Sequence, residues 1–519
     1  MAKLNIVTVI VDALRFDVLC RVIHSGLSSN LSQIVKGNSF FKDCYALTNV
    51  TDSSLTTIFT GLHPLTHGVL SHGDRLSPWE TKRAHKLNTL PKILSRNGYF
   101  TIAVDFLDRW HSQGFHIYKT PSASLLMQKI SQFFGFLTSK PTVNIFISRI
   151  TQLVESVSYK TRLPSFLKAI SDCISNRFFK HFVIGLGGFT NTKYFTNFSL
   201  NLLNKVSKLS KPFFLLIHYW NTHSPYHSEG IDIERVRKIV ERYHKEMDMP
   251  LNNVLKRIKH PLLVSYLKNW FKLRKLKDTL DVISQYYAAI LDIDKQIGKI
   301  INFLEEKNLL DNTILIVTGD HGESLGEHDI YFDHHGLYEV NLKVPLIIFS
   351  PKLANEGMFN IMMKNNHITH LDTVPTLLDL LNLPKDSLKF DGQSLFRERK
   401  DNSLIVAIET YTETKLSAKN GDWKIITSIT PKEAMCRYCG RIHGGLNELY
   451  DLKKDPHETK NIAQDYPEIF NSLKNLASKY LARFKLYHKL SRLSIHLKKT
   501  EEKKQAFQVG KLISRAIKT

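Results

Sequence analysis

Alternating strand and helix patterns over the first three-quarters of the chain predict a doubly wound α/β sheet. Three observations carry this. Apolar, β-branched runs recur at Asn5–Val11, Phe100–Val104, Pro212–His218, Thr313–Thr318 and Val344–Phe349. Segments with apolar residues at helical spacing lie between them, notably Leu90–Asn97, stopped by Gly98, and Gln285–Leu304. Several runs also end abruptly in polar residues: Asp12 after the first, YWNTHSPY after the third, and Gly-Asp320-His321-Gly after the fourth. Open α/β sheets bind ligands at the C-terminal ends of their strands. Gly319 and Gly322 flank the Asp320-His321 pair and predict a sharp turn that lets both side chains converge on one ion.

Two stretches interrupt the alternation. Lys119–Lys180 is helical in pattern, with nine Lys and Arg against Glu155 and Asp172, and Ile231–Leu280 is similarly basic around KNWFKLRKLK. Both read as helical insertions near the active-site rim, over about 112–200 and 228–282. After Pro384 the texture shifts to short strands, Leu404–Glu409 and Asp422–Thr427, which predicts a small antiparallel subdomain. The expected organisation is a catalytic domain over 1–395, a subdomain over 396–482 and a basic helical tail over 483–519.

The 519 residues are 43% hydrophobic, ample for a large core, and carry a net charge of +23. That excess favours an anionic partner: a phosphate or sulfate ester, an acidic glycan, or lipid headgroups. Zinc-finger spacing and aromatic RNA-binding signatures are both missing, so nucleic acid is not expected. Five scattered cysteines argue against a disulfide framework. The short apolar run after Met1 reads as a first strand rather than a signal peptide, which makes the cytoplasm the expected compartment. The apolar stretches within the basic Lys119–Lys180 insertion also allow peripheral membrane contact, beside the reading of a soluble cap.

The stretch TDSSLTTIFTGLHPLTHG, Thr51 to Gly68, predicts a short helix stopped at Gly61 with Thr51 at its start. A hydroxyl there is ordinarily a cap. The same position also favours an alkoxide nucleophile and an anionic ester, because a helix N-terminus stabilises negative charge. Cys436-x-x-Cys439 with His443 offers three candidate metal ligands and no second CxxC, too few for a closed site. Glu323, Glu327 and His328 read as residues that order the loop after the fourth run.

The order of these motifs resembles the sulfatase family of the alkaline phosphatase superfamily. It runs from Asp12 through Thr51 and TGLHPLTHG to LPKILSRNGYFT, PFFLLIHYWNTHSPY, DNTILIVTGDHGESLGEH, LKVPLIIFSP and ELYDLKKDPHETKNIA. The resemblance implies a mixed sheet of that family's type, with Asp12, Asp320 and His321 as metal ligands and Thr51 as nucleophile and fourth ligand. It further implies His223 as the group that meets the scissile ester or protonates the leaving oxygen, and His334 or His335, with His72 and Arg109, as substrate-binding residues. One divalent ion is expected, Zn²⁺ or Mn²⁺ first, with Ca²⁺ or Mg²⁺ open.

The departures from the family pattern shape the functional expectation. Sulfatases carry Cys or Ser within Cys/Ser-x-Pro-x-Arg, whereas this chain has Thr51-Asp-Ser53-Ser-Leu55, without the Pro or the Arg. Oxidation of a Thr gives a ketone, not an aldehyde, so formylglycine is not expected. The family's Gly-Lys-Trp-His segment falls near Asp105–Asp108, with Arg109-Trp-His111 just beyond as a partial substitute. A Thr nucleophile resembles the phosphodiesterases, phosphonate hydrolases and phosphoethanolamine transferases of the superfamily. The expected activity is therefore hydrolysis or transfer of phosphoric esters, lipid- or glycan-linked. Sulfuric ester hydrolysis is the alternative, and non-catalytic binding of an anionic glycan or lipid the second alternative.

Overall fold

A computed structural model describes residues 3–36, 40–73, 76–120, 192–365, 367–385, 388–397 and 404–499. Its centre is an eight-stranded sheet: β1 (Asn5–Val11), β2 (Phe40–Tyr45), β3 (Phe100–Val104), β4 (Ile117–Lys119), β5 (Phe213–Tyr219), β6 (Thr313–Gly319), β9 (Lys343–Phe349) and β10 (Ile368–Thr369). The order across it is β10-β2-β9-β6-β1-β5-β3-β4, with β9 antiparallel to both neighbours and the other pairs parallel. Every residue of β1, β5 and β6 is buried, which is why these strands read as continuous apolar runs rather than alternating ones. β7 (Ser324–Leu325) and β8 (Tyr331–Asp333) form a small hairpin beside the sheet.

Register is what assembles the site. Val11 lies opposite Gly319 in the β1–β6 ladder, so the next residues, Asp12 and Asp320, leave the sheet side by side. β5 flanks β1 on the other edge, pairing Val11 with Tyr219, and in its exit loop the Thr222 hydroxyl donates to the Asp12 carbonyl. The long Thr279–Glu306 helix backs this face, and Tyr286 on it donates to the Ala13 carbonyl at 2.7 Å. The helices Ile233–His244, Leu251–Arg257 and Pro261–Arg274 occupy the second anticipated insertion. Of the first, only its ends are described, including the Thr192–Val206 helix, which packs on β5; residues 121–191, and with them the basic stretch and its membrane reading, lie outside the described residues.

The C-terminal subdomain is a four-stranded antiparallel sheet of β11 (Ile405–Glu409), β12 (Lys415–Asn420), β13 (Trp423–Ser428) and β14 (Asn447–Asp451). The Pro467–Leu476 helix packs on β12 and β13. The next helix, Ser478–Lys499, runs through residue 483, where the basic tail was expected to begin, and buries Leu481, Phe484 and Tyr487 against Leu65 and Leu70. Lys424 is buried in β13 and joins the two units, reaching Glu339 at 2.9 Å and Glu458 at 2.8 Å. Lys424→Ala would leave the buried Glu458 carboxylate facing the half-buried one of Glu339. It is expected to destabilise the protein by about 3–5 kcal/mol, read by denaturant unfolding. An unchanged midpoint would show that the bridge contributes nothing net.

Candidate functional site

Thr51 is the first residue of the Thr51–Thr60 helix, whose N-cap is the extended Val50. Thr51 therefore stands at the first helical position rather than at the cap, and its hydroxyl lies 3.3 Å from His321 Nε2, so the ordinary capping explanation does not hold. All ten residues of this polar helix are buried. The cost is offset locally: Thr56 and Thr60 hydroxyls donate 2.6 Å bonds to the carbonyls of Asp52 and Thr56, and Ser54 donates to the Asp320 carbonyl.

Asp12, Asp320 and His321 each place one donor atom within 4.8 Å of the others, all buried. His321 Nδ1–H donates to the Gly322 carbonyl at 2.9 Å, which turns the Nε2 lone pair inward. That nitrogen stands 3.6 Å from Asp12 Oδ1 and 3.3 Å from Asp320 Oδ2. Both Asp12 oxygens and Oδ2 of Asp320 receive no hydrogen bond. Burial first, then mutual repulsion, pushes the Asp12 carboxyl well above its usual range, and burial holds His321 well below its own. Three buried carboxylate oxygens without a hydrogen bond, beside an imidazole lone pair and a hydroxyl, form a donor set that fits one divalent cation.

The turn holding this set is built differently from the sequence expectation. Neither Gly319 nor Gly322 has a positive φ; that role falls to Ala13 at +60°, whose N–H donates to Asp320 Oδ1 at 3.0 Å. The two glycines are required by close approach. A Cβ on Gly322 would sit 1.9 Å from the Val340 carbonyl oxygen, and one on Gly319 2.8 Å from that of Leu14. Beneath the loop, Arg15 pairs with Glu327 at 2.7 Å, and Tyr226 donates to Glu323 at 2.9 Å.

His223 donates from Nδ1 to the Ser224 carbonyl at 2.8 Å and packs against Trp220 and the His334 ring, whose centroid is 5.1 Å away. His334 is the member of the His334-His335 pair at the site. Its ring centroid lies 4.5 Å from that of His321, the rings tilted by 30°, and its Nδ1 donates to the Asn49 carbonyl at 2.7 Å. His335 turns away, toward Cys436, Cys439 and His443.

His72 and Arg109 converge on a residue that sequence reasoning passed over, Asp52. Its carboxylate lies 2.9 Å from His72 Nδ1, 2.7 Å from Arg109 Nη2 and 3.0 Å from His111 Nε2, and it accepts the Gly73 N–H at 2.8 Å. Burial opposes ionisation, but Arg109 and the two imidazoles hold this carboxyl well below the usual range. Arg109-Trp-His111 therefore does reach the Thr51–Thr60 helix, one residue beyond Thr51, whereas Asp105 pairs with His218 at 2.9 Å. The adjacency of Thr51 and Asp52 was the available signal.

Asp52→Asn is expected to destabilise the fold by roughly 2–3 kcal/mol. That is below the fully buried range, because the Arg109 side chain is 32% exposed. A depressed carboxyl stabilises fully above its unfolded value near 3.9, and the contribution disappears as pH falls through the lower folded value. The wild-type advantage over the Asn variant should accordingly be complete at neutral pH and shrink in acid, as pH-dependent denaturation would show. A constant difference down to pH 2 would overturn the assignment.

Comparison with known proteins agrees with this geometry. The family model described as Sulfatase matches residues 4–383, and that described as N-sulphoglucosamine sulphohydrolase, C-terminal, matches 326–483. The chain is 20% identical to the uncharacterized sulfatase YidJ of Escherichia coli over 84% of this chain and 78% of that protein. It is 23% identical to an arylsulfatase of Clostridium perfringens over 92% and 94%. Among solved structures, a protein in complex with D-glucosamine-2-N,6-O-disulfate superposes with a TM-score of 0.58 at 18% identity, covering 93% of this chain and 98% of that one. The phosphonate monoester hydrolase of Agrobacterium radiobacter gives a TM-score of 0.57 at 17% identity, covering 93% and 96%. With Thr51 and the Asp12–Asp320–His321 set at the C-terminal edge of a sheet of this topology, the chain belongs to the sulfatase family and is a hydrolase of ester bonds.

Proposed function

We propose that the protein hydrolyses singly charged oxyanion esters at Thr51, sulfuric esters of a glycan-like substrate before others. The observation that carries this is a charge count. One divalent cation held by Asp12, Asp320, His321 and the Thr51 hydroxyl would balance the two carboxylates and supply electrophilic activation of the hydroxyl and the ester oxygens. The Arg109 guanidinium is already paired with Asp52, and burial holds His321 and His334 below their usual range, toward the neutral form. That leaves little positive charge for a dianion, so a phosphate monoester fits poorly and a sulfate monoester fits well. The disulfated glucosamine held by a structural neighbour supports a glycan carrier.

Thr51 releases its hydroxyl proton to water and attacks sulfur in line through Oγ1, the new bond to sulfur forming as the bond to the leaving alcohol breaks. The helix N-terminus at Thr51 favours the charge that develops. His223, its Nδ1 proton engaged with Ser224, transfers a proton from Nε2 to the departing oxygen. Water then attacks sulfur, passing a proton to the now neutral His223; the bond from sulfur to Thr51 breaks, sulfate leaves, and Thr51 takes up a proton to restore its hydroxyl. A threonine cannot take the aldehyde-hydrate route, so this second displacement is required. The same constraint favours a second reading: phosphodiesters and phosphonate monoesters are also singly charged, and phosphothreonine is the more readily hydrolysed intermediate.

Turnover of p-nitrophenyl sulfate, methyl p-nitrophenyl phosphate and p-nitrophenyl phosphate tests both readings. Placing a second negative charge in this site costs several kcal/mol, so kcat/KM for the dianionic monoester should be lower by at least about 100-fold. Turnover of the sulfate supports the first reading, and turnover of the diester alone the second. Preference for the phosphate monoester defeats both.

A further inference from the structure

The hydrolytic reaction makes no use of the group formed by His335, Cys436, Cys439 and His443. All four are buried, and one donor atom from each lies within 4.8 Å of the other three. Sequence spacing showed three of these; the fourth, His335, arrives from the loop after β8, far away in the chain.

The local geometry is that of a metal knuckle. Tyr438 N–H and Cys439 N–H point at Cys436 Sγ at 3.4 and 3.5 Å, and Gly440 N–H closes the turn on the Cys436 carbonyl at 3.0 Å. Gly440 has a φ of +68°, which a side chain would disfavour. Two amide donors on one sulfur favour its thiolate form, the form that binds metal.

Each imidazole is backed as a ligating histidine is. His443 Nδ1–H donates to the His328 carbonyl at 2.9 Å, leaving the Nε2 lone pair facing Cys439 Sγ at 2.9 Å. His335 makes no well-aligned hydrogen bond from either ring nitrogen, and its Nδ1 stands 3.4 Å from Asp333 Oδ1. A carbonyl behind one ring and a carboxylate behind the other are the outer partners that orient zinc-bound histidines.

We propose that His335, Cys436, Cys439 and His443 bind one zinc ion that staples the C-terminal subdomain to the loop delivering His334 to the hydrolytic site. Two thiolates and two imidazoles select a thiophilic, tetrahedral ion. Tetrahedral zinc holds such donors roughly 3.3–3.8 Å apart, so small rotations of these side chains suffice. The protein supplies all four positions, which leaves none open for water or substrate and makes the site structural. Its functional reach runs through one peptide bond: His335 fixed by zinc anchors His334, which lies over His321 and against Asn49. The proposal stands on the fold and does not depend on which ester is hydrolysed.

Cobalt reconstitution of the reduced, full-length chain tests it. Cobalt bound here gives intense tetrahedral ligand-field bands and a thiolate-to-cobalt charge-transfer band. These are expected in the wild type and in Asp320→Asn, whose change touches only the other cation set, and absent in Cys436→Ser. Because the serine variant can fail to fold, the wild type is also titrated with p-hydroxymercuribenzoate while a chromogenic chelator follows zinc. Release of one zinc per chain on thiol blocking, with a lowered melting temperature, supports the staple. A wild type with no thiolate–cobalt band overturns it, as does a Cys436–Cys439 disulfide recovered from metal-free, active protein. Failure of the hydrolytic cation set would show differently, as unchanged activity in Asp320→Asn.

Discussion

Thr51→Ala is expected to lower kcat by at least about 10⁴-fold while the protein remains folded. Thr51 carries the hydroxyl closest to the inward nitrogen of His321, at 3.3 Å, and it stands at the start of a helix with Asp12 and Asp320 alongside. Because Thr51 is not the cap residue and its hydroxyl contacts His321 instead, its loss should change stability by less than about 1 kcal/mol, the usual worth of a cap. Thr51→Ser keeps the nucleophile without the methyl group and should retain part of the rate. Steady-state turnover beside a melting curve separates chemistry from folding. If the alanine variant turned over like wild type, the nucleophile would have to be sought elsewhere.

Asp12→Asn and Asp320→Asn should lose the hydrolytic cation and, with it, nearly all activity. They should also stabilise the metal-stripped protein. Three carboxylate oxygens at this spot are buried without a hydrogen bond, and an amide removes one of the two facing negative charges. The gain after chelation is expected to be roughly 1–3 kcal/mol at neutral pH. Metal-replete wild type should remain the more stable form, since the ion binds only the folded chain. Elemental analysis and melting curves with and without chelator are the measurements. A variant that keeps stoichiometric metal at this site, or that melts lower than wild type after chelation, contradicts the ligand assignment.

Much of this could be read along the chain because the chemistry sits where strands end. β1, β5 and β6 are buried on both faces, so they stand out as apolar runs, and the residue after each run is exposed to the site by topology alone. Asp12, Asp320 and His321 were legible for that reason, and Thr51 was legible from its place at the start of a short polar helix and from the motif order. Asp52 was not, because a carboxylate one residue beyond a nucleophile looks like an ordinary first-turn acid until Arg109, His72 and His111 are seen to surround it. The two glycines around Asp320 were noticed for backbone freedom. Their need for clearance from Val340 and Leu14 depends on neighbours far off in sequence.

The sequence by itself determined the α/β class and the family, and it marked Asp12, Asp320 and His321 as candidate ligands, since period, strand ends and motif order are local properties of the chain. Tertiary structure alone decided which of the adjacent histidines faces which cluster of candidate ligands. His334 and His335 are indistinguishable as neighbours in a string, but successive side chains of an extended loop point in opposite directions. One therefore reaches His321 in the catalytic sheet, and the other reaches two cysteines and a histidine in the C-terminal subdomain.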